Sequence, residues 1–119
     1  MKKLLLLFFL PLFTLAQSGN GVGADSLISF AKQYQGVKYC YANCTPKSGF
    51  DCSGFVYYVF GHFNIKVPRA SLDYEKQGRV ITIDSARKGD IIVFTGTKPK
   101  NKRPGHVGIV ISNPGEDLK

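Results

Sequence analysis

The sequence predicts an α+β domain with an antiparallel sheet, and three observations carry that expectation. Two stretches in the first half, around residues 25–35 and 52–60, space their apolar residues for helices packed on one side. Three later stretches, RVITI, IIVF and HVGIVI, alternate or run apolar as strands do. The order, helices first and strands after, is that of a segregated α+β fold and not the βαβ alternation of a parallel sheet.

The chain of 119 residues has room for one domain and not for two. Its 44% hydrophobic and 20% charged residues are those of a globular protein, which excludes a wholly disordered chain. The opening MKKLLLLFFLPLFTLA has a basic head at Lys2 and Lys3, an apolar stretch from Leu4, and small residues Thr14 and Ala16 placed for cleavage. That is the pattern of a secretory leader over residues 1–16. The apolar stretch is short for a bilayer span and Pro11 interrupts it, so stable membrane insertion is not expected after cleavage. No cysteine follows at a lipidation position. Residues 17–23, QSGNGVG, read as a linker, and residues 24–119 as the domain.

Asp25 or Ser26 can cap a first helix running to about Gln35, with Leu27, Ala31 and Tyr34 on one face and Gly36 as its stop. The Pro, Gly, Ser and Asn content of residues 37–49 indicates a loop. In GFDCSGFVYYVF, Phe55, Val56, Val59 and Phe60 suit a helix with Asp51 as its cap, although the aromatic and β-branched content would also allow a strand. A short helix is expected from about Ser71, then a strand near residues 80–83. A turn at Arg87, Lys88, Gly89 and Asp90 leads into IIVF, and residues 106–111 form the last strand. In that strand His106, Gly108 and Val110 face one way and Val107, Ile109 and Ile111 the other.

The formal charge of +8 falls to +6 when the two leader lysines are removed, so the mature chain stays basic. Basic secreted proteins meet anionic surfaces such as walls, lipid head groups or nucleic acid. The charge gathers in Lys98, Lys100, Lys102 and Arg103, where Pro99 and Pro104 make a loop; a solvated connection and a binding patch both fit it. No nucleic-acid recognition motif accompanies the charge, which argues against a nucleic-acid partner. Three cysteines in an oxidising compartment leave one over after pairing. Cys40 and Cys44 are close enough to close a small loop, and a disulfide between them is expected, with Cys52 free. No second CxxC and no paired histidines complete a metal site.

Cys52 sits at the mouth of its apolar run and not inside it. A thiol is a strong nucleophile only as thiolate, and a helix N-terminus favours the anion through unpaired N–H groups and partial positive charge. The same N–H groups can hold the oxyanion formed when a thiolate attacks a carbonyl. Such a nucleophile needs a base. His62 lies about two and a half turns along the same helix and cannot reach Cys52, so it is assigned to the surface. His106 opens a strand that can lie beside the helix, and is the candidate base.

The segments FDCSGFV, VPRAS, KGDIIVF and GHVGIVI, in that order, resemble the NlpC/P60 family of cell-wall cysteine peptidases over roughly residues 24–111. The resemblance implies a papain-like fold, with a helix-borne cysteine packed on an antiparallel sheet. It implies hydrolysis of peptidoglycan stem peptides, typically between γ-D-glutamate and diaminopimelate or lysine, by a monomer that is secreted or periplasmic and wall-associated. No metal or organic cofactor is implied. Residue by residue, Cys52 matches the nucleophile and His106 the base. Asp51 and Ser53 match the flanking motif positions, Tyr39 the tyrosine that lines the site, and Arg69 and Ser71 the segment near the substrate groove.

Three features depart from the family pattern. The third polar residue that orients the histidine stands on a following strand, while this chain ends at Lys119 in a turn, with only Asn113 and Glu116 nearby; C-terminal truncation is expected. Tyr74 stands where glutamine is common, and Cys40 and Cys44 stand where glycine-rich sequence is common. Two rival functions remain at this point, a non-catalytic wall-binding module and a related thiol acyltransferase or amidase.

Overall fold

A computed structural model describes residues 4–8, 23–95 and 103–119. Strand β1 (Leu4–Phe8) is followed by helix α1 (Ala24–Lys32), a hairpin of β2 (Cys44–Thr45) and β3 (Gly49–Phe50), and helix α2 (Cys52–His62). A 3-10 helix (Ser71–Lys76), strand β4 (Arg79–Ile81), a second 3-10 helix (Ile83–Ser85), and strands β5 (Ile91–Thr95) and β6 (Pro104–Ile109) complete the order. The main sheet runs β4-β1-β5-β6, and every neighbouring pair is antiparallel. The expected α+β class is therefore the observed one.

Helix α2 lies against the sheet through Val56, Val59 and Phe60, with both valines fully buried. Burying one such side chain stabilises the fold by roughly 1.5–3 kcal/mol. These residues share a core with Leu27 and Ala31 of α1, Val67, Tyr74, and Ile91, Val93 and Val107 of the sheet. Ile92 and Val110 pack on the opposite side with Ala86. Strand β5 is thus covered on both faces, which explains why IIVF is an unbroken apolar run and does not alternate.

Helix α1 differs from its expected form. It starts one residue before Asp25, with Gly23 at the cap and no side-chain cap bond, and ends at Lys32. Asp25 instead lies in the first turn, where its charge suits the helix dipole, and accepts from Lys88 Nζ at 3.3 Å. Tyr34 stands beyond the helix and shares a hydroxyl hydrogen bond with Tyr58. Gly36, at φ 88°, closes the turn that follows. Strand β4 stops at Ile81 because residues 83–85 wind into a 3-10 turn closed by Thr82 and Ser85 hydroxyls.

The segment expected to be loop, residues 37–49, contains the small β2–β3 hairpin, and this corrects the expected disulfide. Cys40, Cys44 and Cys52 are all free thiols. Tyr39 pairs with Phe50 on one side and Cys44 pairs with Phe50 on the other. Strand β3 therefore stands between the segments bearing the two cysteines. Neighbouring strands lie about 4.8 Å apart, so two such spacings exceed the usual reach of a disulfide. The Asn43 side-chain amide donates to Cys40 Sγ at 3.1 Å.

Leu4–Phe8 falls within the segment read as a leader set apart from the domain. In the structure it is β1, paired with β4 through Leu6↔Ile81 and with β5 through Leu5↔Val93. An apolar extended segment satisfies the backbone groups of both neighbours, which would otherwise be open strand edges. The rest of the leader, linker residues 17–22, and Lys98, Lys100 and Lys102 lie outside the described residues. Among the described residues no helix is long and apolar enough to cross a membrane.

Candidate active site

The site is built on the first turn of α2. Asp51 has an extended backbone, and its Oδ1 accepts the Gly54 N–H at 2.6 Å, as an N-cap should. Cys52 is the first helical residue and is half-buried. Its thiol therefore stands where the helix leaves N–H groups without intrahelical partners.

The hairpin segment clamps this turn. The Asp51 N–H donates to the Asn43 carbonyl at 3.0 Å. The Ala42 N–H points at the Asp51 carboxylate, and Ala42 holds a left-handed φ of 60°. Gly54 is required by this contact, because a Cβ there would stand 2.2 Å from the Asn43 carbonyl oxygen.

Arg69 closes the other side. Its guanidinium gives Nη1 to Asp51 Oδ1 and Nη2 to Asp51 Oδ2, both at 3.1 Å, and Nη1 also reaches Ser53 Oγ at 3.1 Å. Burial pushes the Asp51 carboxyl up, but Arg69 and the Gly54 and Ala42 N–H groups outweigh it and hold it below the usual carboxylate range. Hydrogen bonding to Asp51 raises Arg69 in turn, and the Cys44 thiol beside it acts in the same direction. Asp51, Ser53 and Arg69 are thus brought together as one hydrogen-bonded group.

His106 stands on β6, the strand on which α2 packs. Its neighbour Val107 faces the core cluster that Cys52 packs against, so His106, one residue away along the strand, faces the other side of the sheet with Phe94. His106 is exposed, pairs with Phe94 across the sheet, and sets its ring 5.7 Å from the Phe94 ring. The register slips beside it, between Phe94↔His106 and Thr95↔Pro104, a bulge of the sort that re-aims side chains near sites. Among the described residues no hydrogen bond joins His106 to Cys52. His62 is exposed and stacks on Phe30 at 3.8 Å, a surface position as expected.

Tyr39 is 70% exposed and bridged to Phe50, next to the cap. Ser71 opens the first 3-10 helix and makes no side-chain hydrogen bond among the described residues. Asn113 and Glu116 bond each other across the last turn, the Asn113 N–H donating to Glu116 Oε2 at 2.9 Å and the Glu116 N–H to the Asn113 carbonyl at 3.1 Å, so the Glu116 carboxylate is engaged within the turn. A cavity of about 510 Å³ between Ile83 and the 112–118 turn is lined by Asn113 and Glu116 but by neither Cys52 nor His106. Among the described residues no three of His, Cys, Asp and Glu gather as metal ligands.

Sequence reasoning missed the backbone half of the site, at Ala42 and Asn43, and the pairing of Arg69 with Asp51. The glycine directly after Ser53 was the one available signal, since a glycine in the first turn of a helix has a cost that a close backbone contact explains.

Helix α2, opening on the half-buried thiol and packed on an antiparallel sheet, defines a papain-like α+β fold. The profile of the NlpC/P60 family matches residues 36–116, and the chain belongs to that family. It is 36% identical over 98 residues to a gamma-DL-glutamyl hydrolase of Bacillus subtilis (strain 168), covering 77% of this chain and 24% of that protein. It is 33% identical over 81 residues to the murein DD-endopeptidase MepS/murein LD-carboxypeptidase of Escherichia coli (strain K12), covering 67% and 40%. The crystal structure of the NlpC/p60 domain of peptidoglycan hydrolase SagA superposes with a TM-score of 0.65 at 28% identity, covering 82% of this chain and 87% of that one. An NlpC/P60 family protein from Bacillus cereus ATCC 10987 gives a TM-score of 0.69 at 27% identity, covering 82% and 34%. The chain thus spans less than half the length of these two curated relatives.

Proposed function

We propose that the protein is a secreted cysteine endopeptidase that hydrolyses peptidoglycan stem peptides at the bond after γ-D-glutamate, with Cys52 as nucleophile and His106 as general base. The observation that carries this reading is the half-buried thiol at a helix N-terminus capped by Asp51 and closed by Arg69. The relatives' names, which include a gamma-DL-glutamyl hydrolase and a murein endopeptidase, support the substrate class.

In this mechanism His106 takes the Cys52 proton, and the thiolate attacks the amide carbonyl. The oxyanion is held by N–H groups of the first turn of α2. Collapse of the tetrahedral intermediate breaks the C–N bond, and His106 delivers the proton to the leaving amine. A thioester remains on Cys52. Water, deprotonated by His106, attacks it and frees the acid, and the thiol returns.

Asp51 and Arg69 form a zwitterionic edge suited to a substrate that carries both an amine and carboxylates, with Ser53 hydrogen-bonded to it and Ser71 and the exposed Tyr39 as further substrate contacts. The N-terminal sixteen residues serve as the export leader, so the pairing of Leu4–Phe8 with β4 and β5 belongs to the unprocessed chain and is given up on cleavage; N-terminal sequencing of the exported protein is expected to begin at Gln17, and an intact Met1 contradicts it.

The test is digestion of purified peptidoglycan, with Cys52→Ala as control and products identified by mass. New stem fragments ending in γ-D-glutamate, seen only with Cys52 intact, are expected. No cleavage by a folded chain whose Cys52 alkylates at neutral pH overturns the reading and favours wall binding without turnover or acyl transfer to another substrate.

A further inference from the structure

Tyr74 is 2% exposed and its hydroxyl has no hydrogen-bond partner among the described residues. A buried donor left unmatched costs roughly 1–3 kcal/mol, so an otherwise well-packed core holding one calls for a reason. The 3-10 helix that carries Tyr74 packs on β6, and Tyr74 belongs to the cluster against which Cys52 packs. Burial raises the phenol's pKa first, a negative charge on Cys52 raises it further, and Arg69 opposes them. The hydroxyl therefore stays protonated and sits within the electrostatic reach of the thiol and the guanidinium.

The other groups around Cys52 are already engaged or of different character. Asp51 is paired with Arg69, and Cys44 on β2 lies beside Arg69. A neutral thiol is a poor acceptor. Once its proton leaves for His106, the sulfur becomes the strongest acceptor near the buried phenol.

We propose that Tyr74 is a positioning residue for the nucleophile, whose hydroxyl donates to the Cys52 thiolate and stabilises the charged form before acylation. Tyr74 keeps its own proton throughout, and the thiol proton resides on His106. This inference rests on the reading of Cys52 as nucleophile, and it gives the tyrosine that replaces the expected glutamine a function in place of a packing role.

The test is alkylation of Cys52 by iodoacetamide across pH in the wild-type chain, Tyr74→Phe and Tyr74→Gln. Peptide mass spectrometry separates Cys52 from Cys40 and Cys44. A hydrogen bond to a charged group lost in Tyr74→Phe raises the titration midpoint by about one pH unit and slows alkylation at neutral pH roughly tenfold. Tyr74→Gln, which retains a donor, keeps a midpoint nearer the wild type. The thermal midpoint of Tyr74→Phe does not fall, since only an unpartnered hydroxyl is removed. An unchanged Cys52 midpoint in folded Tyr74→Phe overturns the proposal, and so does a marked loss of stability, which would show that the hydroxyl has a resting partner. A shifted midpoint in a protein that cleaves no peptidoglycan supports the role of Tyr74 and overturns the substrate reading.

Discussion

Replacing Gly54 with alanine sets two physical effects against each other at the site. Helix propensity alone favours Gly54→Ala by up to about 1 kcal/mol. The structure opposes it: the new Cβ would stand 2.2 Å from the Asn43 carbonyl oxygen and 2.7 Å from Asp51 Oδ1. The carboxylate can swing away, at the expense of a cap worth about 1 kcal/mol. The carbonyl is backbone, fixed by the Asp51 N–H and by the hairpin pairing of Cys44 with Phe50, so the hairpin must shift. Such overpacking costs roughly 1–3 kcal/mol. The net loss is about 1–3 kcal/mol, and about 2 kcal/mol lowers the melting temperature of a domain this size by roughly 10 °C. Thermal unfolding followed by circular dichroism measures it. A melting temperature equal to or above that of the wild type refutes the clamp and leaves propensity as the ruling effect.

Other substitutions test separate parts of the account. Ala42→Gly relieves a left-handed backbone and is expected to stabilise by about 0.5–1 kcal/mol, read as a higher denaturation midpoint. Asp51 has a depressed folded pKa, so its stabilisation is present above the unfolded value near 4 and lost as pH falls through the folded value; Asp51→Asn should flatten the acid limb of the stability profile. Asp90 is fully buried, its Oδ1 lacks a partner among the described residues, and burial raises its pKa against the Arg87 N–H and the charges of Arg87 and Arg79. The folded state then holds that proton more tightly, stability declines as pH rises from about 4 through the folded value, and Asp90→Asn should remove that decline. Intact mass after alkylation without reductant is expected to show three labelled thiols, and a single label indicates a Cys40–Cys44 disulfide.

The fold class was legible because periodicity survives in α2 and in the strands, and because Asp51 is an N-cap type followed by an apolar helix. The cap and the helix it opens appear where the sequence puts them. The β2–β3 hairpin was not legible: with two residues per strand it has no period to read, and Gly49 and Ser48 look like loop. Its consequence, that Cys40 and Cys44 flank Phe50 from opposite sides, follows from pairing and not from their spacing. Strand β1 was hidden for a different reason, since an apolar Leu run reads alike as a leader and as a central strand. Arg69 and Asp51 are eighteen residues apart, and nothing local in either segment announces the bidentate pair.

The central claim is that Cys52 forms a covalent acyl intermediate with a stem peptide. Incubating the chain with a γ-D-glutamyl stem peptide, quenching in acid within the first turnover and mapping the digest by mass tests it directly. The account predicts the acyl fragment on the Cys52 peptide, absent in Cys52→Ala and reduced in His106→Ala. Product formation with Cys52 unmodified, or undiminished in Cys52→Ala, contradicts it.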